Sequence, residues 1–113
     1  MFNKEFEAMP LPKMRELQRE RLKWSLTHAY ANVPHYKKSF DAAGFNPDTF
    51  KTLDDLRRVP FLTKQDMRAS YPFGLFAVPL DKVARVHSSS GTTGNATVVG
   101  YTTGDVGEFA EVV

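Results

Sequence analysis

The chain has 113 residues, of which 42% are hydrophobic and 25% charged; this is the size and composition of one globular domain and argues against a disordered polypeptide. Its formal net charge is only +2, from 15 basic and 13 acidic residues, so charge alone does not indicate a nucleic-acid partner. The absence of cysteine excludes a disulfide framework, a thiolate nucleophile and a cysteine-based metal site.

Nothing in the sequence indicates a membrane or a metal. Residues 1–12 lack the apolar segment of a secretory signal. The longest apolar stretch, residues 73–80, is far shorter than the roughly 20 residues that span a bilayer. The histidines His28, His35 and His87 lack the spacing of metal ligands. We therefore predict a cytoplasmic protein with no membrane partner and no metal site in this chain.

The amino-terminal part of the chain favours helices. Pro10 and Pro12 precede a helix predicted over residues 13–31. Its basic residues are interspersed with glutamates, which indicates a solvated polar face rather than a nucleic-acid-binding surface. That polar face consists of Lys13, Glu16, Glu20, Lys23 and Thr27. A second helix is predicted over residues 35–43, with Gly44 as its terminator.

Two short helices are predicted next, each opened by a threonine that an aspartate follows three residues later. The pairs are Thr52 with Asp55 and Thr63 with Asp66, and both resemble capping boxes. Residues 71–76 then form an aromatic segment, which is interpreted as a cover over the core.

At Val83 the hydrophobic period changes from helical to strand-like. Strands are predicted over residues 83–87 and 97–101, and a last helix follows with its cap at Thr102 or Thr103. Two strands are too few for a sheet that is stable by itself, and the last helix has no carboxyl-terminal cap. We therefore expect the chain to be the amino-terminal part of a longer protein.

The loop between the two strands carries most of the functional information. Its sequence, SSSGTTG at residues 88–94, combines five hydroxyl residues with two glycines. Hydroxyls and backbone N–H groups in such a loop can converge on phosphate oxygens, and glycine allows close approach. Composition alone leaves a flexible connection without a ligand equally open. A Walker-type loop is excluded, because Gly91 and Gly94 are only three apart and Asn95 replaces the required lysine.

Several separate segments resemble one enzyme family. The run SSSGTTGNATVVGYT at residues 88–102 resembles the phosphate-binding signature of the adenylate-forming enzymes, which include the acyl-coenzyme A synthetases. Within that superfamily, its TVVGYT continuation is similar to the phenylacetate–coenzyme A ligases. So are YPFGLFAVP at 71–79, ANVPHYKKSFDAAGFNP at 31–47 and VPFLTKQDMR at 59–68.

The resemblance implies a fold of the α/β class. It places residues 1–113 in the large domain of an adenylate-forming enzyme. Residues 1–72 would be its mostly helical beginning. Residues 73–113 would supply an aromatic loop, the first strands, the phosphate loop between them and the start of a helix.

The resemblance also implies a two-step reaction. A carboxylate such as phenylacetate would react with ATP and Mg²⁺ to give an acyl-adenylate and pyrophosphate, and coenzyme A would then displace AMP. In family terms the β- and γ-phosphates are bound by Ser88, Ser89, Ser90, Gly91, Thr92, Thr93 and Gly94. The family's magnesium ligands, acid pocket and catalytic lysine lie further along the polypeptide, so no catalytic residue is assigned here and the chain alone is expected to be inactive.

One position in the loop departs from the family pattern. Relatives usually carry lysine after the second glycine, where this chain has Asn95. The missing ammonium removes one charge contact to the phosphates, while the hydroxyls and N–H groups remain. His87 and Tyr101, which flank the loop, are interpreted as structural residues rather than as ligands.

Two functions other than that of a ligase are compatible with parts of the sequence. The first is a non-catalytic helical interaction module that binds a partner through the exposed aromatic residues of 71–76, with no response to ATP. A basic nucleic-acid-binding helix is disfavoured because its charges are mixed. Under the ligase interpretation, the expected partners are an aryl carboxylate, ATP, coenzyme A, the rest of the polypeptide and, through the aromatic helices, a second copy of the protein.

Overall fold

The computed structural model describes residues 3–90, 94 and 96–113, and places helices before a two-stranded hairpin. The helices are α1 (Lys4–Glu7), α2 (Leu11–Asn32), α3 (Pro34–Ala42), α4 (Lys64–Ala69) and α5 (Thr103–Val112), with 3₁₀ turns at Pro47–Thr49, Leu53–Arg58 and Leu80–Lys82. The strands are β1 (Val83–Ser88) and β2 (Val98–Thr102). Within the described ranges, every helix is too short or too polar to serve as a membrane span.

The two principal helices form where the sequence predicts them. Helix α2 begins two residues before the predicted start, because Pro10 is its N-cap and Pro12 lies in the first turn, where an N–H has no intrahelical partner. Helix α3 ends just before Gly44, whose φ of +66° is the left-handed conformation expected of a glycine terminator. The four-residue helix α1 was not predicted.

Both predicted capping boxes are present. At the start of α4, the Asp66 carboxylate accepts hydrogen bonds from the N–H of Thr63 at 2.8 Å and from its hydroxyl at 2.7 Å. The first box opens the 3₁₀ turn Leu53–Arg58 rather than the predicted α-helix. A third box, formed by Thr102 and Asp105, opens α5.

The core lies where α2, α3 and the turn after them meet. Its buried residues are Leu26, Val33, Phe40, Phe45 and Phe50. The Phe40 ring packs edge-on against Phe45, with centroids 5.2 Å apart, and lies 5.8 Å from the Tyr36 ring. Burial of each large apolar side chain contributes about 1.5–3 kcal/mol, so this cluster is the main stabilising element of the helical region.

Polar side chains tie α2 to the segments that follow it. The Lys23 ammonium, predicted on a solvated face, donates hydrogen bonds to the carbonyls of Pro47 at 2.7 Å and Phe50 at 3.3 Å. The Tyr30 hydroxyl donates to the Asp41 carboxylate of α3 at 2.8 Å. That hydrogen bond lowers the pKa of Asp41. These contacts fix the angle at which α3 and the turn meet α2.

The hairpin packs on the aromatic segment 71–76 through a close contact at Gly100. A Cβ atom added to Gly100 would lie 2.6 Å from two ring carbons of Phe76, so only glycine lets the ring approach β2 this closely. Phe76 therefore covers one face of the sheet rather than the core cluster between α2 and α3. Tyr71 and Phe73, in contrast, remain 49% and 43% exposed.

Candidate functional site

The strands bring the two ends of the Ser/Thr/Gly loop together. Ser88, the last residue of β1, pairs with Val98, the first residue of β2, in an antiparallel register. Immediately beyond, the Ser89 N–H donates to the Thr97 carbonyl at 3.0 Å, and the two hydroxyl oxygens are 2.6 Å apart. The Thr97 N–H also donates to Ser89 Oγ at 3.3 Å. This Ser89/Thr97 pair closes the base of the loop.

The predicted site residues are placed as follows. Ser88 lies in β1, Ser89 lies in the closing pair, and Ser90 and Gly94 are exposed. Gly94 has a φ of +107°, a backbone conformation that glycine adopts far more readily than other residues, as expected for a sharp turn. Gly91, Thr92, Thr93 and Asn95 lie outside the described residues, so their predicted roles are carried by the sequence alone.

Side-chain alternation separates the two serines at the end of β1. Ser89 shares a face of the hairpin with His87 and, across the strands, with Tyr101, whereas Ser88 belongs to the opposite face. The rings of His87 and Tyr101 lie 4.9 Å apart, which supports their interpretation as structural residues. The cavity of about 60 Å³ between them, Arg85 and α5 is too small for a nucleotide.

The hairpin is electrostatically suited to an anion. Between Asp81 and Asp105 the sequence contains no carboxylate side chain, whereas Lys82 and Arg85 supply two positive charges. A carboxylate next to the loop in the sequence would repel phosphate oxygens, so this composition favours an anion there; the nearest carboxylates on the carboxyl-terminal side lie on α5, which packs against both strands.

A larger cleft lies elsewhere, between α2 and β2. It has a volume of about 430 Å³ and is lined largely by apolar side chains, with Trp24, His28 and Phe76 among them. The Trp24 ring stacks on His28 with centroids 4.6 Å apart, yet Trp24 is 64% exposed. None of the described residues of 88–94 lines this cleft, so it is separate from the candidate site.

No metal centre is formed by the side chains of residues 3–90, 94 and 96–113. Within these ranges, no group of three histidine or carboxylate side chains converges as metal ligands do. The candidate site of this chain consequently consists of hydroxyls and backbone dipoles.

Comparison with known proteins shows which enzymes the chain is similar to. The chain is 62% identical over 101 residues to the phenylacetate-coenzyme A ligase of Aromatoleum evansii, covering 89% of this chain and 23% of that enzyme. It is 55% identical over 113 residues to the phenylacetate-coenzyme A ligase of Thermus thermophilus, covering 100% of this chain and 25% of that enzyme. The chain is homologous to the phenylacetate–coenzyme A ligases. The resemblance predicted from the sequence is confirmed, and no family model matches the chain.

Solved structures agree with this result. The fold matches 2-hydroxyisobutyryl-CoA ligase in complex with 2-HIB-AMP and CoA, with a TM-score of 0.78 and 35% identity over 86% of this chain and 22% of that one. An open conformation of that ligase matches with a TM-score of 0.76 and 31% identity. The predicted fold class is confirmed. The chain spans about a quarter of the length of the phenylacetate–coenzyme A ligases that it matches.

One residue of the site was missed by sequence reasoning. The sequence predicts Thr97 only as the first residue of a strand. In the structure, Thr97 is the partner of Ser89 in the three contacts that close the base of the loop. The signal was present in the sequence, because a serine and a threonine flank the glycines at the two strand ends. Identifying them as partners required the strand register, which composition does not fix.

Proposed function

We propose that the chain is the amino-terminal part of an ATP-dependent acid–thiol ligase and that residues 88–94 bind the phosphates of ATP. The observation that carries the proposal is the hairpin. It presents a hydroxyl- and glycine-rich segment at a closed base, in a stretch of sequence that contains no carboxylate, in a chain 62% identical to part of a phenylacetate-coenzyme A ligase. The non-catalytic module has no comparable support, since the relatives above are all named as ligases.

The proposed chemistry has two steps. The carboxylate of the acid attacks the α-phosphorus of ATP, a P–O bond breaks and pyrophosphate leaves. The thiol of coenzyme A then attacks the acyl carbon, and AMP leaves with the electron pair of the broken C–O bond. The first step needs the triphosphate held in line, because a misplaced leaving group loses most of the benefit of proximity.

Residues of this chain would stabilise the leaving group, pyrophosphate. Hydroxyls and N–H groups of residues 88–94 would donate hydrogen bonds to the β- and γ-phosphate oxygens, where negative charge increases as pyrophosphate departs. Donors fixed in advance stabilise such charge without reorganising during the reaction. Bound Mg²⁺ would neutralise part of the same charge, and none of the steps assigned to these residues depends on it.

The proposed acid is an aryl acid of the phenylacetate type. The relatives named for phenylacetate are 55% and 62% identical to this chain, whereas the 2-hydroxyisobutyryl-CoA ligase is 35% identical. We also propose that residues 1–113 belong to the large domain of the enzyme, with 1–72 as its helical beginning and 73–113 carrying the hairpin.

The test is ATP–pyrophosphate exchange by the full-length protein with phenylacetate as the acid. Thr92→Val and Thr93→Val each remove one donor to a charged group, which is expected to lower exchange about tenfold to a hundredfold. Thr103→Val is the matched control, because Thr103 is exposed and its hydroxyl has no hydrogen-bond partner among the described residues. Exchange that is unchanged in both loop variants would contradict the proposal.

The unusual Asn95 gives a second test of the same site. Asn95→Lys adds an ammonium next to the proposed phosphates, so ATP binding is expected to be unchanged or tighter. A large loss of affinity would show that the asparagine has a specific role.

A further inference from the structure

We propose that Thr97 positions the phosphate-binding loop and that Ser89 acts through Thr97 rather than as a phosphate ligand. This inference rests on the proposed function and adds to it a residue from the far side of the loop. The hydroxyls at the base of the loop would position it, and the hydroxyls within the loop would bind phosphate.

The hydrogen bonds at the base of the loop occupy most of the hydrogen-bonding positions of the Ser89 side chain. Its Oγ accepts the Thr97 N–H at 3.3 Å and lies 2.6 Å from Thr97 Oγ1. A serine hydroxyl has one donor and two acceptor positions, so these contacts use two of the three. The Ser89 N–H is used as well, by the Thr97 carbonyl at 3.0 Å. Little remains with which Ser89 can bind a phosphate.

The pair adjoins the strand that contacts the aromatic segment. Thr97 is half-buried and directly precedes β2, which Phe76 holds through its contact with Gly100. Joining the two ends of a loop in general reduces the number of conformations open to it. Ordering that is complete before binding lowers the entropic cost of binding, so the pair is expected to affect ATP more than the other substrates.

Steady-state kinetics of the full-length enzyme test this proposal. Ser89→Ala and Thr97→Val each break the hydroxyl contact, so part of the ordering of the loop would have to occur when ATP binds, and each is expected to raise the KM for ATP about fivefold. The double variant is expected to be no worse than Ser89→Ala, because that change already removes both the contact between the hydroxyls and the acceptor of the Thr97 N–H. Thr97→Ser keeps the hydroxyl and is expected to restore the KM.

A merely structural role would give a different pattern. The KM values for the acid and for coenzyme A, and the Tm, are expected to stay unchanged in these variants. Ser25→Ala and Thr103→Val are matched controls at exposed positions whose hydroxyls have no partner among the described residues. A fall in Tm with a parallel rise of all three KM values would overturn the positioning role.

The remaining outcomes separate the two proposals. A loss in Ser89→Ala much larger than in Thr97→Val, with additive effects in the double variant, would make Ser89 a direct ligand and overturn the inference. Normal ATP kinetics in both variants, with exchange abolished in Thr92→Val, would overturn it while leaving the proposed function intact. Full exchange in Thr92→Val and Thr93→Val would overturn both.

Discussion

The contact between Gly100 and Phe76 gives a sharp prediction about how the hairpin is held. Replacing Gly100 with alanine places a Cβ atom 2.6 Å from Cε2 and Cζ of Phe76 and 3.2 Å from Cδ2. Carbon atoms pack at about 3.5–4 Å, so the ring or the strand has to move. Overpacking of this kind costs about 1–3 kcal/mol.

A second effect partly offsets this cost. Gly100 is not among the described glycines with positive φ, so alanine fits the backbone. Alanine also lowers the conformational entropy of the unfolded chain, which stabilises the folded state by about 0.4–1 kcal/mol. The expected net loss in the free energy of unfolding is about 0–2.6 kcal/mol, with a midpoint of about 1.3 kcal/mol. Urea unfolding of the full-length protein, followed by circular dichroism, measures it.

A double-mutant cycle identifies the cause. Phe76→Leu removes the two ring carbons nearest to the added methyl group, so Gly100→Ala is expected to be neutral or stabilising in the Phe76→Leu background. Gly107→Ala in α5 is the matched control, since an added Cβ there meets no atom within 4 Å. If Gly100→Ala costs the same in both backgrounds, the steric argument is refuted.

Three further predictions concern the helical region. Phe40→Ala empties the centre of the core and is expected to lower the free energy of unfolding by about 3–5 kcal/mol in urea titrations, whereas Phe61→Ala, at a position 94% exposed, changes it by less than about 0.5. Gly44→Ala places a Cβ at a φ of +66° and is expected to cost about 1–2 kcal/mol in the same assay. Hydrogen bonds from Thr63 lower the pKa of Asp66, so their stabilisation is present above about pH 4 and is lost as the pH falls through the lowered pKa. Asp66→Asn is therefore expected to weaken the acid-induced fall in Tm, and an unchanged pH profile would contradict this assignment.

Local signals predicted the elements well. Proline and glycine at the ends of α2 and α3, and threonine–aspartate pairs at later helix starts, act through backbone groups within four residues of each other, so the sequence contains the whole interaction. Helix α1 is a single turn, and its capping bonds, from the Phe6 N–H to the Asn3 side chain and from the Asn3 N–H to the Glu7 carboxylate, leave only a short signal in the sequence. A signal that short is common in loops as well.

Contacts between distant segments could not be predicted in the same way. Lys23 was placed on a solvated face because its neighbours along the helix are charged, yet its ammonium binds carbonyls 24 and 27 residues further on. The partnership of Ser89 with Thr97 likewise depends on the strand register. The resemblance predicts that the loop is a site, whereas only the register distinguishes a hydroxyl at its base from those within it.

The alternation of faces at the end of β1 also limits which changes of sequence the hairpin can accept. Losing one residue from the strand would exchange the sides on which Ser88 and Ser89 project, and would turn His87 away from Tyr101. An altered residue between the closing pair leaves that ladder untouched. Point replacements between Ser89 and Thr97 therefore keep the strand register, whereas an insertion or deletion within the paired segments would reverse the hairpin's inner and outer surfaces.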